Sequence, residues 1–136
     1  MRRQTLLAPI LLLAGLAAVP AAAQSGPARP NLVHREVVEG MPRGERQEVQ
    51  VLTATILPGQ ATVFHTHRFP VTILVLEGTF TLELEGRPTA VIGPGQSFVE
   101  PAHVRMTGHN RSADTTMRVV IFYVGDPGTP FLDAIH

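Results

Sequence analysis

His65 and His67 are the residues whose types and spacing most directly suggest chemistry. Successive side chains of an extended strand alternate faces, so two histidines one residue apart share a side. Apolar, β-branched runs flank them, which points both imidazoles into the interior of a small β structure. Two neutral imidazoles facing one way make half of a metal site, since imidazole suits Zn, Cu, Fe and Ni. Two alone bind weakly, so further ligands are needed. Otherwise the pair is simply two part-buried histidines in a metal-free barrel.

The elements that must position this pair read as short strands. Leu32 to Glu39 is expected as a first strand, ended by the turn formers Gly40-Met41-Pro42-Arg43-Gly44. Gln47 to Leu57 follows, with Val49, Val51, Thr53 and Thr55 on one face and Leu52, Ala54 and Ile56 on the other. After Pro58-Gly59 comes the histidine strand, Ala61 to His67, then Val71 to Leu76, apolar on both faces as a central strand would be. Thr79 to Glu85 alternates and reads as half-buried. Thr89 to Ile92, Ser97 to Glu100, Val104 to His109 and Met117 to Val124 complete the set. No stretch after the first residues sustains a helical period. Short strands with Gly/Pro turns predict an all-β sandwich or barrel.

The first residues give an address. Met1-Arg2-Arg3, an apolar run from Leu6 to Val19, and Ala21-Ala22-Ala23 predict a secretory signal peptide over 1–23, cleaved before Gln24. The location expected is periplasmic or secreted, with no membrane association after cleavage. Removing 1–23 leaves 113 of the 136 residues, enough for one domain. Loss of Arg2 and Arg3 takes the 11 basic residues to 9 against 11 acidic ones, with no basic patch for nucleic acid. Cysteine is absent, so packing, a metal or a partner subunit must hold the core. The organisation expected is a signal peptide (1–23), a disordered lead with the first strand (24–46), a barrel (47–125) and a tail (126–136).

The spacing of the glycines, histidines, proline and asparagine resembles the cupin family, a small type-2 cupin in particular, over roughly residues 47–125. Its first motif, G-x5-H-x-H-x3,4-E-x6-G, is matched by Gly59, His65, His67 and Gly78, with Val71 at the glutamate. Its second, G-x5-P-x-G-x2-H-x3-N, is matched by Gly95, Pro101 and Asn110, with His103 at the glycine and Met106 at the histidine. The resemblance implies a single-domain double-stranded β-helix, a jelly-roll barrel. It also implies one metal ion (Cu, Fe, Mn, Zn or Ni) or none, held by His65 and His67 in a ligand set that has departed from the usual one.

Met106 at the third-ligand position would make a soft His2Met set suited to Cu(I); alternatively it is a flexible core filler. His103 beside the barrel mouth is a further candidate, while His109 should face outward by strand parity. Valine at 71 can be neither ligand nor acid/base. Glu77, at a strand end beside Gly78, and Glu100, near the mouth, are the candidate carboxylates in its place, each otherwise a solvated rim residue. Val71, Met106, Phe80 and Tyr123 are expected to line a substrate pocket. Three functions stay open: a metal-binding cupin with a small organic ligand or dioxygen chemistry, a metal-free small-molecule-binding barrel, and a sensory module. A homodimer is expected, with Leu32–Glu39 donated to the partner sheet.

Overall fold

The computed structural model describes residues 26–136. The expected signal peptide, 1–23, lies outside the described residues. Among the described residues there are nine strands and no helix: β1 (Glu48–Ile56), β2 (His65–Thr66), β3 (Val71–Glu77), β4 (Phe80–Leu84), β5 (Ala90–Ile92), β6 (Ser97–Glu100), β7 (Met106–His109), β8 (Met117–Gly125) and β9 (Asp133–Ala134). They form two sheets, ordered β1-β8-β3-β6 and β5-β4-β7-β2-β9. All ladders are antiparallel.

The period-two patterning builds the core. Val71, Ile73 and Val75 of β3 point inward beside Met117, Val119, Ile121 and Tyr123 of β8, and meet Phe80, Leu82 and Leu84 of β4. Burying one such side chain stabilises the fold by about 1.5–3 kcal/mol over leaving it exposed. On β1 the expected faces hold: Val49, Val51, Thr53 and Thr55 are exposed, and Ile56 is buried.

Two motif positions have structural reasons. Gly78 has φ +70°, and a Cβ there would lie 2.9 Å from the Met117 Cα and the Thr116 carbonyl, so only glycine fits. Asn110 is buried; its amide donates to the Ile56 and Thr115 carbonyls at 2.9 and 2.8 Å, and its Oδ1 accepts from the Ser112 N–H. It ties β1 to the loop before β8.

Three expectations change. Leu32–Glu39 is not a strand: it joins no backbone ladder, and Leu32, Val33 and Val37 stay exposed. The histidine strand is only two residues long. Before it, Ala61 makes a lone bridge to His109, and the Gly108 N–H bonds the Thr62 hydroxyl instead of a backbone carbonyl. Finally, the tail supplies β9, which pairs with β2.

Candidate functional site

Short as β2 is, its parity survives. His65 and His67 are 4 % and 0 % exposed and turn the same way. Each ring is anchored through Nδ1: His65 to the Val63 carbonyl and His67 to the Phe131 carbonyl, both at 2.7 Å. A carbonyl only accepts, so Nδ1 carries a proton on both rings, and Nε2 is the ring atom left to face the interior. The two Nε2 atoms stand 3.1 Å apart. Burial above all, with the neighbouring His67, pulls His65 below the ordinary imidazole range, against the raising effects of the Val63 carbonyl and Glu100.

The third member is Glu100, at the end of β6. Its Oε2 lies 3.1 Å from His67 Nε2. Glu100 is 5 % exposed, which corrects its reading as a solvated rim residue. The β3–β6 register explains why: Glu100 stands directly opposite Val71, on the inward face. Glu77 does remain at the rim. A bulge between Val75 and Glu77 breaks its inward parity, and it reaches Arg118 at 3.7 Å.

Three acceptors thus stand in a buried row, His65 Nε2, His67 Nε2 and Glu100 Oε2, with His67 central. The row is not closed: among the described residues no three His, Cys, Asp or Glu side chains gather round a common point. Lone pairs at such distances repel unless a proton or a cation lies among them. The arrangement can therefore hold a positive charge.

Met106 is fully buried and pairs directly with His65 across β2–β7, so it packs beside the histidines. His103 lies elsewhere. It is exposed, with φ +60°, and lines a hollow of about 430 Å³ between the 36–40 segment and the outside of the barrel. Only its backbone reaches the site, its N–H donating to the His67 carbonyl at 2.8 Å. His109 faces outward to Glu83 at 3.2 Å.

Inside the barrel, a cavity of about 220 Å³ adjoins the row and is lined by His65, Glu100 and apolar side chains including Phe80. Val71, Met106 and Tyr123 are not on its wall. Tyr123 packs instead against the Phe131, His67 and Phe69 rings, at centroid distances of 5.7, 6.3 and 6.4 Å. Burial pushes its phenol up; the Phe69 backbone acts on it, yet no partner reaches hydrogen-bonding geometry.

The residues missed by sequence reasoning are Glu100 as a buried partner and the tail residues Phe131 and Leu132, which also line the cavity. The available signal for Glu100 was a carboxylate ending an apolar strand in a chain whose motif glutamate is valine. The tail is latched by Arg68, whose guanidinium donates to both Asp133 carboxylate oxygens at 2.9 and 3.0 Å, and by the Ile135 N–H to the Phe64 carbonyl.

Among solved structures, the fold is similar to a cupin-like protein of Thermotoga maritima (TM-score 0.54, 20 % identity, 64 % of each chain). It is likewise similar to a cupin 2 domain-containing protein of Halorhodospira halophila (0.54, 15 %, 72 % of this chain and 74 % of that one). A third likeness is to a DMSP lyase of Ruegeria pomeroyi (0.51, 20 %, 71 % and 57 %). The matched region spans less than two thirds of the Thermotoga and Ruegeria chains. At these identities the likeness shows the fold alone. No curated protein matches the chain in sequence. The cupin domain family model, however, matches residues 52–123, from β1 through most of β8. With more than half its length so matched, and two antiparallel sheets enclosing a paired-histidine site, the chain belongs to the cupin domain family.

Proposed function

We propose that this is an exported cupin that holds one divalent metal ion with His65, His67 and Glu100, and binds or acts on a small organic molecule in the adjoining cavity. The observation that carries this reading is the buried row of three acceptors, with both imidazoles locked so that Nε2 is free. Two donors bound at about 2.1 Å to one ion stand roughly 3–3.4 Å apart, so the 3.1 Å contacts suit a shared cation.

Two imidazoles and a carboxylate form a borderline-to-hard set of the kind found in Fe(II) sites, and also suit Zn or Mn. That favours these ions over the Cu(I) expected from a Met106 thioether. When bound, the ion would supply Lewis-acid polarisation of a ligand oxygen. The chain's own residues do the rest. The Val63 and Phe131 carbonyls hold the rings in register, Glu100 offers a second oxygen for a ligand proton, and the apolar wall excludes water.

Equilibrium dialysis against Zn²⁺ and, anaerobically, Fe²⁺ tests the proposal. One ion per chain is expected, with at least about a tenfold loss of affinity in Glu100→Gln and in His67→Ala. No uptake by the unaltered protein would favour the second reading, a metal-free barrel. That reading has its own support, since a single proton on the row also relieves the repulsion and the cavity exists regardless. Export rests on the composition of residues 1–23. Mass spectrometry of the cell-derived protein should find an N-terminus at Gln24; an intact Met1 start would refute it.

A further inference from the structure

The cavity beside the row narrows the kind of molecule it can take. Its wall is hydrocarbon, built from Ile73, Phe80, Val119, Ile121 and Phe131. Three polar side chains reach it: Thr62, His65 and Glu100. The Thr62 hydroxyl is committed, accepting from the Gly108 N–H and donating to the Val63 carbonyl. What remains for a ligand is one polar end, at the buried His65 imidazole and the Glu100 carboxylate.

No arginine lines the cavity. The nearest in sequence to the histidines, Arg68, is exposed and paired with Asp133. In the metal-free site an anionic ligand would meet the Glu100 carboxylate with no cation to offset it. A polyol would strand several hydroxyls, unpaired, against the hydrocarbon wall. An apolar body with a single O–H group avoids both costs. Size sets a further limit: an apolar cavity of about 150 Å³ accommodates benzene, and this one is about 220 Å³.

We infer that the site takes a neutral, ring-sized, largely hydrocarbon molecule bearing one hydroxyl, of the phenol or cyclic-alcohol class. The hydroxyl lies at His65 and Glu100, and the hydrocarbon body lies between Phe80, Ile73, Val119 and Ile121. This deepens the proposed function and rests on it only for the identity of the polar end.

Calorimetry with three probes tests it, on metal-free and on zinc-loaded protein. The probes are p-cresol, p-toluate (the same body with a carboxylate) and inositol (a ring covered in hydroxyls). Expected is p-cresol binding in both states, at least tenfold tighter than p-toluate in the metal-free protein, with no heat from inositol. Val119→Phe, which fills the cavity from the β8 wall, should abolish p-cresol binding and leave zinc uptake unchanged. Ala54→Leu, on the same wall, serves if that variant does not fold. Inositol or p-toluate binding the metal-free protein as tightly as p-cresol would overturn the inference. So would p-cresol binding that survives the filled cavity, or zinc uptake with no p-cresol binding in either state. Loss of zinc uptake with p-cresol binding intact would instead count against the metal site alone and support the inference.

Discussion

Val71 and Glu100 face each other directly across the β3–β6 ladder, on the side that points into the barrel. Opposed side chains on one sheet face have Cβ atoms about 4.5–5.5 Å apart. The carboxylate that the cupin motif places at 71 is thus present one strand away. Exchanging the two, Val71→Glu with Glu100→Val, should keep zinc affinity within about tenfold of the unaltered protein, the span over which a ligand's supporting partners alter metal affinity. Glu100→Val alone should lose it. Calorimetric titration reads both, and an exchange variant as inert as the single one would show that Glu100 matters by its exact position and not as a transposed carboxylate.

The tail is part of the site through its backbone. Phe131 holds the His67 Nδ1 proton with a carbonyl, so no side-chain substitution removes that contact. Truncation after Pro130 should lower metal affinity by about 10–100-fold, the usual cost of losing a ligand's orienting partner. Circular dichroism should still show the two sheets. Unchanged affinity in the truncated protein would remove the tail from the site.

The latch on that tail has a pH signature. Hydrogen bonds from Arg68 hold Asp133 below the ordinary value of 3.8. The stabilisation is therefore fully present above that ordinary value and is lost as pH falls through the lower folded one. Hydrogen exchange of the Ile135 amide, bonded to the Phe64 carbonyl, should stay constant in its opening free energy from pH 7 to 5. Asp133→Asn should raise its opening at pH 7. Equal protection in both proteins would show the latch to be idle.

Two substitutions probe the frame around the site. Asn110→Ala strands the Ile56 and Thr115 carbonyls and should cost about 2–4 kcal/mol in urea unfolding. Gly108→Ala puts a methyl group 2.2 Å from the Phe80 ring and should cost about 1–3 kcal/mol. A change under about 0.5 kcal/mol in either would contradict the packing described.

These cases show what a sequence exposes and what it conceals. The histidine pair and the strands around it were legible because a period of two survives in a single stretch of chain. Gly78 and Asn110 were legible as motif spacing, although their reasons, a Cβ clash and a pair of buried carbonyls, lie in contacts. Glu100 was legible only as a candidate carboxylate near the mouth and not as a buried one, since its inward position follows from the register between β3 and β6, and register is set by the turn and by packing partners. The tail escaped because β9 has two residues and no periodicity. Leu32–Glu39 misled in the other direction: an apolar β-prone run becomes a strand only when it pairs with a neighbouring edge, and this one joins no ladder.

That unpaired segment and the outer sheet face bear on assembly. Val49 and Val51 on edge strand β1 are 67 % and 62 % exposed, and Phe122 beside Val51 is 42 % exposed. A second copy related by a two-fold axis could cover this patch, since an edge strand pairs with itself antiparallel. Light scattering should give the mass of a dimer, and Val51→Glu with Phe122→Glu that of a monomer. A monomer for the unaltered protein would refute the expectation.

The central claim is that a metal is held by two imidazoles and a carboxylate, and X-ray absorption at the metal edge tests it most directly. The protein should be loaded with one equivalent of zinc. The expected spectrum has nitrogen and oxygen neighbours alone at about 2.0–2.2 Å, with the multiple scattering of two imidazoles. In Glu100→Gln the oxygen shell should weaken. A sulfur neighbour at about 2.3 Å or beyond would transfer the third position to Met106, and a spectrum of hydrated zinc, with no imidazole scattering, would contradict the site altogether.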